Sequence, residues 1–384
     1  MKTTSNQSNK PPIGMLALML AAPLVCNGQA VPSGVADAKL EQTWTLDGLP
    51  TENDEHLNIS GIAMSADLNL LVLGADEESA VQILRRHGEG EYAQVEGGNY
   101  ALDPGQETEL DIEGIARSGH DYWVVGSHSL KRKTIRDRRE LEQRLDDGKN
   151  LKNNYNHERI ATTVPEPTRE WVYVVKIDDE GAVKADSVVR GSLRTILTNH
   201  PLLAPFRTIP SKENGIDIEG LALIPDEDDK KKAKLYVGLR GPVLRGPRAV
   251  VLVLDAERKR SKLKLKLDDT KYLALDGRGV RGISRLDDGG DGFLVLAGPI
   301  GDAPVPYLVY QWNGKDTIPE ADKLHAADNV QPLCRISPPE ETPGAKAEGI
   351  QVLGRDGDQV RFVIVYDSVE NGSASEFTCK LRQT

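Results

Sequence analysis

Asp217-Ile218-Glu219-Gly220-Leu221-Ala222 repeats a phrase that stands earlier in the chain as Asp111-Ile112-Glu113-Gly114-Ile115-Ala116. Looser copies occur at Ile59-Ser60-Gly61-Ile62-Ala63, Val280-Arg281-Gly282-Ile283-Ser284 and Ala347-Glu348-Gly349-Ile350-Gln351. After each copy come a polar turn and an apolar run: LLVLG, YWVVG, LYVGL, FLVLAG and FVIVY. A unit of this size, repeated in this order, marks a propeller or a related array. A β-sandwich also spaces short strands at similar intervals, but it gives no reason for one Glu-Gly phrase to open successive strand groups. In a propeller each copy lies on an innermost strand, where the blades crowd the axis and glycine relieves the crowding. The expected fold is therefore all-β, a single β-propeller of five blades. Six is the rival count, because divergent segments can conceal another blade.

The first blade runs from about Leu57 to Leu102. The second is interrupted: Lys131 to Leu145 reads as a charged helix with a thin apolar stripe of Ile135, Leu141 and Leu145. The asparagine-rich stretch Lys149 to His157 reads as a loop, and the blade resumes at Trp171, so an insertion spans about 130–168. Ser192 to His200 reads as a short helix capped by Ser192 and stopped by Pro201. The last blade lacks an outer strand, and residues 40–47, LEQTWTLD, can supply it, so the two termini close one blade and protect its edges. No Pro- or Ser-rich linker divides the chain. One propeller domain over 55–384 follows an N-terminal segment, 31–54.

Residues 1–30 read as a signal peptide. Lys2 and Lys10 precede the apolar run Ile13 to Cys26, and Gly28-Gln29-Ala30 offers the small residues of a cleavage site. The run is too short for a membrane span. Lipoprotein anchoring through Cys26 is disfavoured, since Pro23-Leu24-Val25 lacks the small residue expected before it. The expected location is periplasmic or secreted. Cleavage removes two lysines and no acids, moving the formal charge from −11 to −13. An acidic chain argues against nucleic acid or an anionic membrane as partner. Cys334 and Cys379 lack the spacing of a redox or zinc site and read either as a disulfide or as two buried thiols.

The repeat also collects chemistry. Asp111 and Glu113 lie two apart on a strand and share a side, as do Asp217 and Glu219. Antiparallel pairing then sets Gly126-Ser127-His128 beside the first pair and Gly238-Leu239-Arg240-Gly241 beside the second. By the same logic Asp367 accompanies Glu348, Asp76 and Glu77 accompany Ser60, and Gly298 accompanies Arg281. Asp111, Glu113, Asp217, Glu219, Glu348 and Asp367 are thus candidate ligands on one face for a hard cation, with Ca2+ favoured because it accepts many oxygens in flexible geometry. Zinc fits less well, since only His128 is well placed. His128 is a candidate general base, and Arg240 and Arg281 are candidates to bind an anionic substrate group. The competing reading makes the same carboxylates structural, paired with Arg281 and Lys346 as counterions. No nucleophile elbow, HExxH, Walker or EF-hand pattern is present, and no organic cofactor is implied.

The stretch Ser211 to Leu223, SKENGIDIEGLAL, followed by LYVGLRGPVLRGPRAVVLVLD, resembles a bacterial family known only as a domain of unknown function. The resemblance covers most of 55–381 and implies an exported or cytosolic propeller-like domain. A more distant similarity links the Glu-Gly phrases to propellers labelled phytase- or esterase-like, which implies a hydrolase without a substrate or catalytic residues to carry over. Two functions are therefore expected to compete. One is a calcium-assisted hydrolase of phosphate or other esters with a small polar or anionic ligand. The other is a non-enzymatic propeller that binds a ligand or protein partner, with the inserted helix and polar loops as its contact surface.

Overall fold

Val172-Tyr173-Val174-Val175 shows why the apolar runs become strands buried on both faces. Val172 and Val174 pack into a core shared with the following blade, whereas Tyr173 and Val175 pack into one shared with the preceding blade. Alternate side chains on a strand point to opposite faces, so a sheet between two neighbours needs apolar residues at every position. Five such cores lie between successive blades.

The structure, a computed structural model, describes residues 31–50, 58–75, 79–104, 109–184, 187–286, 292–301, 303–340 and 342–382. The expected signal segment, and Asp76 and Glu77 of the first repeat, lie outside the described residues. Five blades form the ring. Their innermost strands are Ile59–Met64, Ile112–Ser118, Asp217–Pro225, Gly279–Arg285 and Lys346–Asp356, one per copy of the repeat. The rival count of six is thereby removed.

Closure is more elaborate than a single added strand. Lys39–Thr43 pairs antiparallel with Ser375–Lys380 and becomes the outer strand of the fifth blade. Ala36–Asp37 pairs parallel with Cys334–Arg335 of the fourth blade, and Thr45–Asp47 pairs parallel with Glu91–Ala93 of the first. The strand expected over 40–47 is thus split at Trp44, a buried residue, and the N-terminal strap stitches three blades together. Cys334 and Cys379 form a disulfide, with Cα atoms 6.3 Å apart, that ties the fourth blade to the fifth beneath the strap. That settles the choice between bridge and free thiols.

The insertion departs from the expected helix. Leu130–Arg132 is a strand paired with Thr163–Pro165, so the insertion stands on a two-stranded stem. The helix is confined to Arg138–Asp146, because Asp137 caps it: its carboxylate accepts from the Glu140 N–H, and Glu140 reaches back to the Asp137 N–H. A second helix, Tyr155–Ala161, lies within and beyond the stretch read as a loop. Neither helix buries a residue. The short helix after Ser192 is Arg194–Asn199, with Leu193 at the cap position and the Ser192 hydroxyl accepting from the Arg194 N–H.

Candidate functional site

Each innermost strand carries a β-bulge at the same place in the repeat, immediately before the glycine. The pairing register skips Ser60, Glu113, Glu219, Arg281 and Glu348 in the five blades. A bulged residue is left out of the ladder and its side chain is re-aimed, so one residue per blade is released from the alternation that buries its neighbours. The following glycines are needed for the close approach of the next blade. A Cβ on Gly114 would fall 2.9 Å from Leu221 Cβ, and one on Gly349 would fall 2.6 Å from the Ser60 carbonyl oxygen.

The bulged residues and their neighbours form a ladder of alternating charge. Arg240 pairs with Asp217 and, through Nη1 at 2.7 Å, with Glu219 Oε1. Arg281 Nη1 lies 3.0 Å from Glu219 Oε2 and donates to Glu348 Oε1 at 2.5 Å. Lys346 pairs with Asp367. These groups are buried or nearly so, apart from Lys346, which is part exposed.

Glu113 stands apart from this ladder. It has neither hydrogen bond nor ion pair among the described residues, yet its carboxylate and those of Asp217 and Glu219 place oxygens within 4.8 Å of one another. Burial pushes its carboxyl well above the usual range, and the charges of Glu219, Asp111, Asp217 and Glu348 push the same way. Burial also raises Glu219, but the guanidiniums of Arg240 and Arg281 oppose it there. The group titrates as a coupled set, and Glu113 is the member with no guanidinium to oppose the upward push.

Of the six expected ligands, Glu113, Asp217 and Glu219 gather at one point. Asp111 adopts a left-handed backbone, φ 55°, and is engaged by Ser127 and by Arg169 Nη1 at 2.8 Å. Glu348 and Asp367 are held by Arg281 and Lys346. His128 lies beside the Asp111 turn as expected, but both ring nitrogens are occupied. Nδ1 donates to the Gly126 carbonyl at 2.9 Å, and Nε2 accepts the Leu193 N–H at 3.3 Å. Burial lowers its pKa to about 4, so the ring is neutral and has no free nitrogen through which to act as a base. Arg169 was not singled out from the sequence. It is buried, pairs with Glu109, Asp111 and Glu166, and lies 58 positions beyond Asp111, across the insertion that conceals their proximity.

The oxygens at the axis suit a hard cation. Glu219 Oε2 is buried with Arg281 Nη1 3.0 Å away, and Glu113 has no partner among the described residues. Asp217, Glu219 and Glu348 form ion pairs, among the described residues, with the guanidiniums of Arg240 and Arg281; with Glu113 ionised, that makes four negative charges to two positive, a surplus that a divalent cation would balance.

A family profile described as "Protein of unknown function (DUF3616)" matches residues 58–377, and the chain belongs to that family. No curated protein matches the chain. Among solved structures, it is similar to an exo-β-1,3-galactanase from Phanerochaete chrysosporium, at 12% identity and TM-score 0.41 over 90% of this chain. This chain spans only 64% of that protein's length. It is also similar to an α-L-arabinanase from Penicillium chrysogenum, at 11% identity and TM-score 0.43 over 90% of this chain and 99% of that one. A third is the set of WD40 repeats of RRP9, at 9% identity and TM-score 0.38 over 90% and 99% of the two chains.

Proposed function

We propose that this member of the DUF3616 family is a calcium-assisted hydrolase of small anionic esters, phosphate esters foremost, working in the cell envelope. The observation that carries the reading is the unpaired carboxyl of Glu113, grouped with Asp217 and Glu219 beside two arginines. Glu113, Asp217 and Glu219 would hold the ion. Calcium bound there would supply Lewis acidity to a phosphoryl or ester oxygen. Arg240 and Arg281 take the anionic group of the substrate, their planar donors suiting phosphate or carboxylate. The Nε donors of both are buried and make no hydrogen bond among the described residues. His128 enters as support for the turn from Gly126 to Ser129, and its two bonds to backbone suit that role.

A second reading has its own support. The unbroken sequence Asp217–Arg240–Glu219–Arg281–Glu348 is what a purely structural set of salt bridges would look like, in a propeller that binds a ligand or protein without turnover. Calcium titration by calorimetry, with hydrolysis of p-nitrophenyl phosphate and p-nitrophenyl acetate measured with and without chelator, separates the two. Calcium binding, weakened at least tenfold in Glu113→Gln, and chelator-sensitive turnover are expected. A protein that binds no divalent ion, and whose hydrolysis survives Glu113→Gln with Glu219→Gln, would sink the hydrolase reading.

A further inference from the structure

Arg281 and Arg240 also form part of a cavity of about 690 Å3 that opens on the side of the fourth and fifth blades. That volume is typical of a site for a drug-sized molecule. Its lining combines two chemistries. Arg240, Arg281, Lys346, Glu348 and Asp367 bring charge. Pro299, Pro304, Pro306, Pro338 and Pro343 bring a collar of proline rings, interspersed with Lys212, Arg335 and Ser337. Proline has a fixed φ and no backbone N–H, so these positions are stiff and contribute carbonyl acceptors but no backbone donors. Their rings offer apolar contact area that an aromatic or aliphatic group would bury and a polyol would not.

Tyr307 lines the same cavity beside Arg281. Its ring lies 5.9 Å from the Arg281 guanidinium, and it is held in place by the missing side chain of Gly298, where a Cβ would fall 2.5 Å from Tyr307 Cε1. Its hydroxyl has no hydrogen-bond partner among the described residues, although the ring is half-buried. Stacking against a ligand ring on one side and donating to an ester oxygen on the other are both open to it.

We propose that the ester recognised at the central face is a monoester of an aromatic or otherwise apolar alcohol, its anionic group on Arg240 and Arg281 and its organic group in the proline collar against Tyr307. This rests on the reading of the central face as an anion-binding hydrolase site, and it adds the class of the substrate's other half. Tyr307 is assigned as a specificity-determining residue.

The test is calorimetric titration of the full chain with phenyl phosphate, glycerol 1-phosphate and inorganic phosphate, without added cation so that binding is read apart from turnover. Phenyl phosphate is expected to bind at least tenfold more tightly than glycerol 1-phosphate. Tyr307→Phe should keep most of that preference, and Tyr307→Ala should reduce it to within about twofold while inorganic phosphate binds as before, which also reports that the variant is folded. Equal binding of the two esters would overturn the collar assignment and leave the central-face reading standing. A preference untouched by Tyr307→Ala would place the apolar group elsewhere and likewise overturn it. Binding of none of the three, in the calcium-free protein and again with calcium added, would remove the anion-site reading itself, and this inference with it.

Discussion

Glu113 and Glu219 occupy the same position in successive repeats, yet their surroundings make them different acids. Glu219 lies between two guanidiniums, and Glu113 has none. Removing one partner of a buried ion pair strands the other charge, which typically costs ~3–5 kcal/mol. Glu219→Gln is therefore expected to destabilise the protein by about 3 kcal/mol or more in denaturant unfolding. Glu113→Gln should behave in the opposite sense. A carboxyl whose folded pKa is raised keeps its proton longer in the folded state than in the unfolded one, so the wild type loses stability as pH rises above the ordinary carboxylate value. At pH 8 and without calcium, Glu113→Gln should be at least as stable as the wild type.

His128 gives the reverse dependence. Its folded pKa is about 4 against an ordinary value near 6.5. Between those values the unfolded chain binds a proton that the folded chain refuses, so stability is full above about pH 6.5 and falls toward pH 4, by at most about 3 kcal/mol. Unfolding midpoints measured across this window should flatten in His128→Gln, over and above any constant offset from the altered hydrogen bonds.

The innermost strands work as elements only because glycine follows each bulge. Gly349→Ala would drive a methyl group into the Ser60 carbonyl of the first blade, with Ile62 of that blade and Val365 of its own blade also inside 3 Å, and the backbone oxygen can yield only if the blades shift. A loss of about 2–3 kcal/mol is expected, as for overpacked cores. Gly344→Ala, with nothing within 4 Å of its Cβ position, is the control and should change stability by less than about 0.5 kcal/mol. The strap and the disulfide guard the seam where the chain's ends meet. Closing a 45-residue loop stabilises by about 4 kcal/mol in the chain-entropy account. Replacing both Cys334 and Cys379 by alanine should cost up to that amount in chemical unfolding, the strap still pairing across the gap. The insertion was only partly legible as elements. Its charge run was plain in sequence, but the stem was not, because Leu130–Arg132 finds its partner 31 or more positions later at Thr163–Pro165.

At the scale of the whole molecule the five cores between blades, the strap and the disulfide make the ring one unit, while the insertion adds no buried residue from its helices. Replacing 134–161 by a short Gly-Ser turn on the same stem is therefore expected to shift unfolding free energy by less than about 1 kcal/mol and to leave calcium titration unchanged. A larger loss would mean that the insertion supports the ring. The sequence by itself determined the repeat and the inner strands, because a strand pressed between two neighbours must be apolar throughout and a crowded axis must carry glycine, while the structure decided between five blades and six. It also brought Ser127 and His128 beside Asp111, and Arg240 beside Asp217, since antiparallel register is a local rule. Only the tertiary structure decided which carboxylates are free. That depends on Arg169 arriving across an insertion, on Arg281 reaching both Glu219 and Glu348 from a third blade, and on Glu113 being left without a cation. Charge pairing across an axis is set by three-dimensional distance, and no spacing along the chain encodes it.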